Sequence, residues 1–325
     1  MHRIDNVTAA GSLPTPASAG TAGYFSNATP GSGTPTIVDN DWCNDIQEEL
    51  IAILTAAGTT PSKTTHNQVL TSLQALFTAK GVVGQARNLK SSLAAAGLSL
   101  TYTADELIVE TALGGSQYQL NNYGQGINLA TTGAGGMDTG ACPTSGAVAI
   151  YAIYAPSTNT VSILGTNASS AAAPNIYAGG HMPATYTASA LLGVIPTNSS
   201  PAVVPFTQID RSIAIALTSI LSTTSNVSAQ SLTFTAAPLN ARTLSGTLSV
   251  NSSSTSSTSG LAVSGSSNSG QLGAIKAEGN SLNSVGNTTS SFSGLQVLTA
   301  QTIYYWSNNS AATGGFNIFV SGYTI

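Results

Sequence analysis

From about residue 82 onward, the apolar residues of this chain come in short alternating runs separated by clusters of Gly, Ser, Thr and Asn, and helical spacing fades. Alternation puts every second side chain on one face of an extended strand, so such runs are buried by packing as sheets. The strongest run is Ala147–Tyr154, with Val148, Ile150, Ile153 and two tyrosines. A Pro-Ser-Thr-Asn turn and Thr160–Leu164 follow it, which predicts a hairpin. Ser99–Thr103, Glu106–Thr111, Leu191–Pro196, Val203–Phe206 and Ser212–Leu217 complete a first set of strands. A second set is Ser231–Thr235, Thr243–Val250, Gln271–Ala277, Leu295–Trp306 and Phe316–Thr324. Turn-rich gaps between short strands point to sandwich or jelly-roll-like domains. Asn251–Gly260, almost wholly Ser and Thr, reads as an exposed loop. No fixed repeat period is present.

The chain before residue 82 differs. Residues 1–38 are rich in Gly, Pro, Thr and Ala and read as an extended attachment arm anchored by Tyr24 and Phe25. Within 39–81 the spacing predicts a helical hairpin. Asp39 or Asp41 caps the first helix, and Trp42, Ile46, Leu50, Ile53 and Leu54 share one of its faces. Asp45, Glu48 and Glu49 sit where the helix dipole favours negative charge. Gly58 and Pro61 break the pattern, Val69, Leu70, Leu73, Leu76 and Phe77 form a second stripe, and Gly81 is a stop. The expected architecture is therefore mainly β. An extended arm (1–38) and a helical hairpin (39–81) precede two β-sandwich-like domains, a central one (82–217) and a C-terminal tip (230–325), joined by a linker (218–229).

Composition narrows the functions open to such a chain. Only 6% of its 325 residues are charged, yet 42% are hydrophobic, unlike a disordered chain of low hydrophobicity and high net charge. With eight Lys and Arg, a net charge of −4 and no basic cluster, nucleic-acid binding is not expected. No run of about 18 apolar residues occurs, so membrane insertion is not expected. Met1-His2-Arg3-Ile4-Asp5 lacks the apolar core of a signal peptide, which predicts synthesis in a cytoplasm. The two cysteines, Cys43 and Cys142, fall in different segments and read as free thiols.

Catalytic chemistry finds few candidates. Polysaccharide cleavage generally needs two carboxylates at a controlled separation. After Glu110 the acids are Asp138, Asp210 and Glu278, in different loops and segments. Asp138 reads as a turn former, Asp210 as the partner of Arg211, and Glu278 as the partner of Lys276. His181, in Gly179-Gly180-His181-Met182-Pro183, reads as a polar loop residue. No Cys-X-X-Cys, close His pair or Asp-rich calcium loop is present, so no metal or cofactor is expected. A non-enzymatic role is the expectation.

Binding is what remains. Tyr304-Tyr305-Trp306 is the densest aromatic cluster, and Phe316, Phe319 and Tyr323 follow. An aromatic face can cover the apolar side of a pyranose, but in a strand Tyr304 and Trp306 face one way and Tyr305 the other, so one side belongs to the core. Loops held on a rigid scaffold concentrate binding function. The expected receptor contacts are Asn251 and Ser256 in one loop, Asn308 and Asn309 in the Asn308–Gly315 loop, and Tyr305 and Trp306 beside them.

Several strings resemble bacteriophage, prophage or tailocin tail-fibre proteins. Gly23-Tyr24-Phe25, Gly31–Asp39, Asp41-Trp42 and Ile46-Gln47-Glu48-Glu49 look like that family's N-terminal module, in which a Gly/Pro/Thr-rich arm leads into an Asp-Trp…Gln-Glu-Glu helix. Cys43 stands where many members have Leu. Thr103–Gly115, Asn128–Gly140, Tyr151–Tyr154 and Met182–Leu191 continue the resemblance, which covers about residues 20–215. It implies a virion component and a homotrimeric fibre. A phage tail or baseplate protein would be bound at the N-terminus through Tyr24, Phe25 and Trp42. A host surface glycan or outer-membrane protein would be bound at the C-terminal domain. The alternatives within that resemblance are a polysaccharide-cleaving tailspike and a purely structural connector that carries a separate receptor-binding protein.

Overall fold

A computed structural model describes residues 2–27, 33–77, 81–252, 256–267, 273–282, 286–310 and 314–325, without the side chains of 256, 257 and 277–282. The protein is mainly β, with a helical hairpin and two antiparallel sheets. It divides into two units, Met1–Lys80 and Gly81–Ile325.

The first unit holds α1 (Asn40–Ala56) and α2 (Gln68–Phe77). Asp39 caps α1 as expected, its carboxylate accepting from the Trp42 amide at 2.9 Å. The expected face packs only at its C-terminal end: Leu54 is buried and Leu50 and Ile53 are half-buried, but Trp42 and Ile46 are exposed, and Ile51, outside the expected stripe, is buried. In α2 the buried residues are Gln68 and Ser72, and Leu70, Leu76 and Phe77 are exposed. The inter-helix loop explains this. Its backbone polar groups need partners, and Gln68 supplies them, donating to the Thr60 carbonyl at 2.7 Å and accepting from the Ser62 amide at 2.9 Å. Ser72 donates to the Thr59 hydroxyl at 3.0 Å. α2 is described as far as Phe77, and residues 78–80, before the expected stop at Gly81, lie outside the described residues.

The second unit contains β1 (Ala86–Arg87), β2 (Lys90–Leu93), β3 (Ser99–Glu110), β4 (Gln117–Asn128), β5 (Ala147–Ala155), β6 (Thr160–Asn167), β7 (Ala188–Pro196) and β8 (Phe206–Ile209). It continues with β9 (Ser212–Thr223), β10 (Val227–Thr233), β11 (Thr243–Ser252), β12 (Ser256–Ser264), β13 (Ile275–Leu282), β14 (Gly286–Gln296), β15 (Thr302–Asn309) and β16 (Gly314–Thr324). The larger sheet has 12 strands in the order β14-β11-β16-β9-β8-β2-β3-β7-β5-β6, with β1 and β4 also paired to β3. The smaller has the order β10-β15-β12-β13.

The two predicted strands at 99–111 are the single strand β3. The run Leu295–Trp306 is interrupted by a turn, in which the Thr302 amide donates to the Thr299 carbonyl and Gln301 takes φ 53°. The 218–229 segment carries the end of β9 and the start of β10 rather than a linker alone, because Thr218–Thr223 pair with β16. Asn251 and Ser252 end β11 and Ser256–Gly260 belong to β12, so these residues are not the expected loop, and 253–255 lie outside the described residues. Ser/Thr-rich sequence is compatible with strands here because β11 pairs on two sides along its length and β12 pairs with β13 from Ser256 to Val263 and with β15 from Ser259.

Two cores lie on the two faces of β5 and β7. Val148, Ile150 and Ala152 face a large core with Tyr102, Leu107 and Ile163, while Ala149, Tyr151 and Ile153 face a smaller one with Leu164, Tyr177 and Val194. The large core continues between the sheets, where Leu248, Val250, Phe316 and Ile318 meet Leu261, Val263, Ile303 and Tyr305. This second part is a sandwich, β14-β11-β16-β9 against β10-β15-β12-β13. At Gly246, where β11 shifts register against β16, a Cβ would lie 1.9 Å from the Phe319 carbonyl oxygen, so only glycine fits.

Candidate functional site

One end of the sandwich gathers four of the six residues expected to contact a receptor. β15 alternates inward and outward: Ile303, Tyr305, Ser307 and Asn309 are buried, and Thr302, Tyr304, Trp306 and Asn308 face out. Tyr305 is therefore a core residue, 5% exposed, with its hydroxyl 3.4 Å from Gln230 Oε1. Its place in the expected site falls to Tyr304, which shares the outward face with half-buried Trp306. Across the strands, Trp306 stands opposite Ala262 and then Lys276, and exposed Asn308 stands opposite Gly260. Ala262 adds little bulk beside the indole, and exposed Asn308 and Lys276 flank it as hydrogen-bonding groups.

Asn309 turns inward, and Asn226, which the sequence pattern did not single out, holds it. The Asn226 side chain accepts from the Asn309 amide at 2.8 Å and donates to the Asn309 carbonyl at 3.0 Å. Thr258 and Ser310 pair reciprocally beside it. Asn251 is exposed at the end of β11, opposite Gly315 and Asn287. A Cβ on Gly314 would strike the Asn309 amide group, and one on Gly315 would strike the Asn251 side chain. The two glycines thus let Asn251 and Asn309 approach at the same tip. Ser256 lies in β12 opposite Leu282, and its side chain is outside the described residues.

The attachment candidates lie in the first unit. Phe25 packs edge-on against Trp42, ring centroids 4.9 Å apart, and Tyr24 is fully exposed. The arm is tied to the hairpin by polar contacts. Arg3 makes a two-pronged pair with Glu48 at 2.6 and 2.7 Å, the Ile4 amide donates to Gln47 at 2.7 Å, and the Ala17 amide donates to Asp41 at 2.7 Å. Lys63 binds Asp5 at 2.8 and 2.9 Å. The bonded guanidinium of Arg3 lowers the Glu48 pKa, and Lys63 lowers that of Asp5.

The acids weighed for catalysis are engaged elsewhere. Asp138 accepts from the Thr139 amide, the Thr166 hydroxyl and the Tyr177 hydroxyl at 2.8–2.9 Å. Burial first, and then this carboxylate, push the Tyr177 hydroxyl up to about 12. Asp210 accepts from the Leu89 amide and does not pair with Arg211, which donates to the Gly84 carbonyl at 3.3 Å. Glu110 is buried against Gln117 and the Gly114 amide. The side chain of Glu278 lies outside the described residues. Among the described residues no group of three His, Cys, Asp or Glu side chains gathers as a metal site, and no helix is long and apolar enough to cross a membrane.

Over 78 residues the chain is 41% identical to the uncharacterized protein StfP of Escherichia coli (strain K12). The match covers 24% of this chain and 35% of that protein, so the chain spans about a third of its relative. No family profile and no solved structure matches the chain.

Proposed function

We propose that this protein is a non-enzymatic, homotrimeric tail fibre of a phage or tailocin. It is fixed to a tail or baseplate protein by the arm and hairpin, and it binds a host bacterial surface glycan or outer-membrane protein with the tip of its sandwich. The observation that carries the receptor reading is the outward pair Tyr304 and Trp306, standing opposite Ser264 and Ala262 and beside the Asn-rich tip. The tail-fibre resemblance of residues 20–215 supports the virion role, and the partial likeness to StfP is in keeping with it. The occupied hydrogen-bonding positions of Asp138 and Asp210 favour this over a polysaccharide-cleaving tailspike.

The test is adsorption of the purified protein to host cells. Trp306→Ala and Asn308→Ala should lower adsorption without loss of fold, and host polysaccharide incubated with the protein should release no oligosaccharide. Adsorption unchanged in both variants would favour the purely structural connector instead. Truncation before residue 218 is not a clean test, because it removes β16, the partner of β9.

A further inference from the structure

β16 starts at the tip and ends at Thr324, which stands opposite Thr243 of β11 on one side and Ser212 of β9 on the other. An arginine precedes each of these partners. The Arg242 amide donates to the Thr324 carbonyl at 2.7 Å, and the Ile325 amide donates to the Arg211 carbonyl at 3.2 Å, so two arginines bracket the end of the strand. Both line one cavity of about 390 Å³. The chain has eight Lys and Arg in 325 residues, so two in one cavity is a local concentration of charge. No acidic residue lines the cavity, and neither guanidinium pairs with a carboxylate among the described residues.

Two guanidinium groups facing one space repel each other, and both stay protonated at neutral pH. Arg211 is half-buried and makes one side-chain hydrogen bond, to the Gly84 carbonyl at 3.3 Å, from a fork that can donate several. A Cβ at Gly84 would strike this guanidinium, so glycine there gives Arg211 its place. Burial lowers the Arg211 pKa from the ordinary arginine value, as for a cation that has lost water without gaining a counter-charge. Arg242 is exposed, and its side chain bonds to no described residue. The facing wall is already fixed. The Asn240 side chain donates to the Ala173 carbonyl at 2.7 Å and accepts from the Ala173 amide at 2.8 Å, and the Asn175 carbonyl accepts from the Leu191 amide at 2.9 Å. A wall held in this way needs little further ordering to receive a ligand.

We propose that this cavity binds a phosphate-bearing small molecule, with Arg211 and Arg242 gripping the phosphate oxygens. Each guanidinium is a planar donor fork that matches phosphate oxygens in pairs. A phosphate monoester carries about two negative charges at neutral pH and balances both arginines, whereas a carboxylate balances one. The cavity is larger than a phosphate ion, and Pro174 and Leu298 add apolar wall, which leaves room for the group that carries the phosphate. The bound anion joins the starts of β9 and β11 to the Ala172–Asn175 loop of the central strands. The site lies at the opposite end of β16 from the tip and is independent of the receptor reading.

The experiment is calorimetric titration of the full chain, at one fixed ionic strength, with inorganic phosphate, glucose 1-phosphate, glucuronate and glucose. Both phosphates should bind saturably and raise the melting temperature, and glucose should do neither. Tighter binding of glucose 1-phosphate than of inorganic phosphate identifies a phosphosugar as the ligand, and equal binding identifies the free ion. Arg242→Gln, at an exposed position, should weaken both by about tenfold or more with an unchanged circular dichroism spectrum. Arg242→Lys should recover part of the loss, because it restores the charge without the fork. Arg211→Gln should also weaken binding, but it releases the Gly84 carbonyl as well, so Arg242 carries the test. No saturable binding of either phosphate overturns the proposal, as does an Arg242→Gln chain that binds phosphate like the unmodified one. Glucuronate bound as tightly as glucose 1-phosphate overturns the choice of phosphate. Adsorption to cells is a separate readout, so failure of the receptor reading would be seen apart from failure of this site.

Discussion

The Tyr323 hydroxyl donates to the Val194 carbonyl oxygen at 2.6 Å, joining residues 129 apart in the chain. Tyr323 lies near the end of β16 in the sandwich, and Val194 lies in β7, between the two cores of the central strands. Nearby, Tyr102 donates to Gln208 at 3.1 Å, and Gln208 donates to the Leu192 and Asp210 carbonyls at 2.7 and 2.8 Å. The two β regions seen in the sequence are therefore joined by a buried polar network as well as by β9. Tyr323→Phe removes the donor and leaves a buried carbonyl short of a partner. The expected loss is about 1–3 kcal/mol in denaturant unfolding with an unchanged slope. A single transition for the whole second unit should remain.

The same tyrosines make the protein sensitive to alkali. Burial raises the pKa values of Tyr102, Tyr123, Tyr151 and Tyr323 above the ordinary tyrosine value of about 10. A group whose folded pKa is raised contributes stability that is complete below its unfolded pKa and is lost as pH rises toward the folded value. The melting temperature should hold up to about pH 9.5 and fall steeply above about pH 10, where unfolded tyrosines ionise. Tyr323→Phe should flatten that fall as well as lower the plateau. A melting curve that is level through pH 11 in the unmodified chain would contradict this.

Much of the fold was legible because period carries it. The continuous apolar run Ala147–Tyr154 and the capping Asp39 each had a local cause, and the structure has β5 and the α1 N-cap there. β4 escaped notice because Gln117–Asn128 is mostly polar and is held by its long pairing with β3 rather than by its own apolar pattern. β12 and the end of β11 escaped because Ser and Thr read as loop until sheet partners on both sides are known. At the tip, alternation correctly separated Tyr305 from Trp306, but only packing could show which faced inward. Asn226 left no local signal, since its role is to hold a backbone 83 residues away.

In the first unit, the arm depends on carboxylates whose pKa values their cationic partners lower. A depressed folded pKa contributes stability above the unfolded value that is lost as pH falls through the folded one. An unfolded carboxylate titrates near about 4 and both folded values lie lower, so release belongs below about pH 4. Both pairs are exposed, and raised salt should loosen them too. At neutral pH, Glu48→Gln should speed hydrogen exchange at the Ile4 amide, which bonds to neighbouring Gln47, while leaving the α1 amides near Ile51 and Leu54 protected. Equal protection in variant and unmodified chain would show that the pair does not hold the arm.

The sharpest separation of structure from binding lies in three consecutive residues. Tyr305 is enclosed by the sandwich core, so Tyr305→Ala opens a cavity and should cost about 3–5 kcal/mol. Trp306 is only half-buried, on the outward face opposite Ala262, so Trp306→Ala should cost less than about 1.5 kcal/mol. If the outward face meets the receptor, the order reverses in adsorption: Trp306→Ala should lower affinity by about tenfold or more while remaining folded. Tyr304→Ala should show a smaller effect in the same direction, and Tyr304→Phe should restore most of it if stacking rather than the hydroxyl matters. Measuring denaturant stability and cell adsorption on the same preparations decides the matter. A Trp306 variant that is fully adsorbing and fully stable would mean that the outward face of β15 contacts neither core nor receptor, and would move the search to Asn251 and the tip.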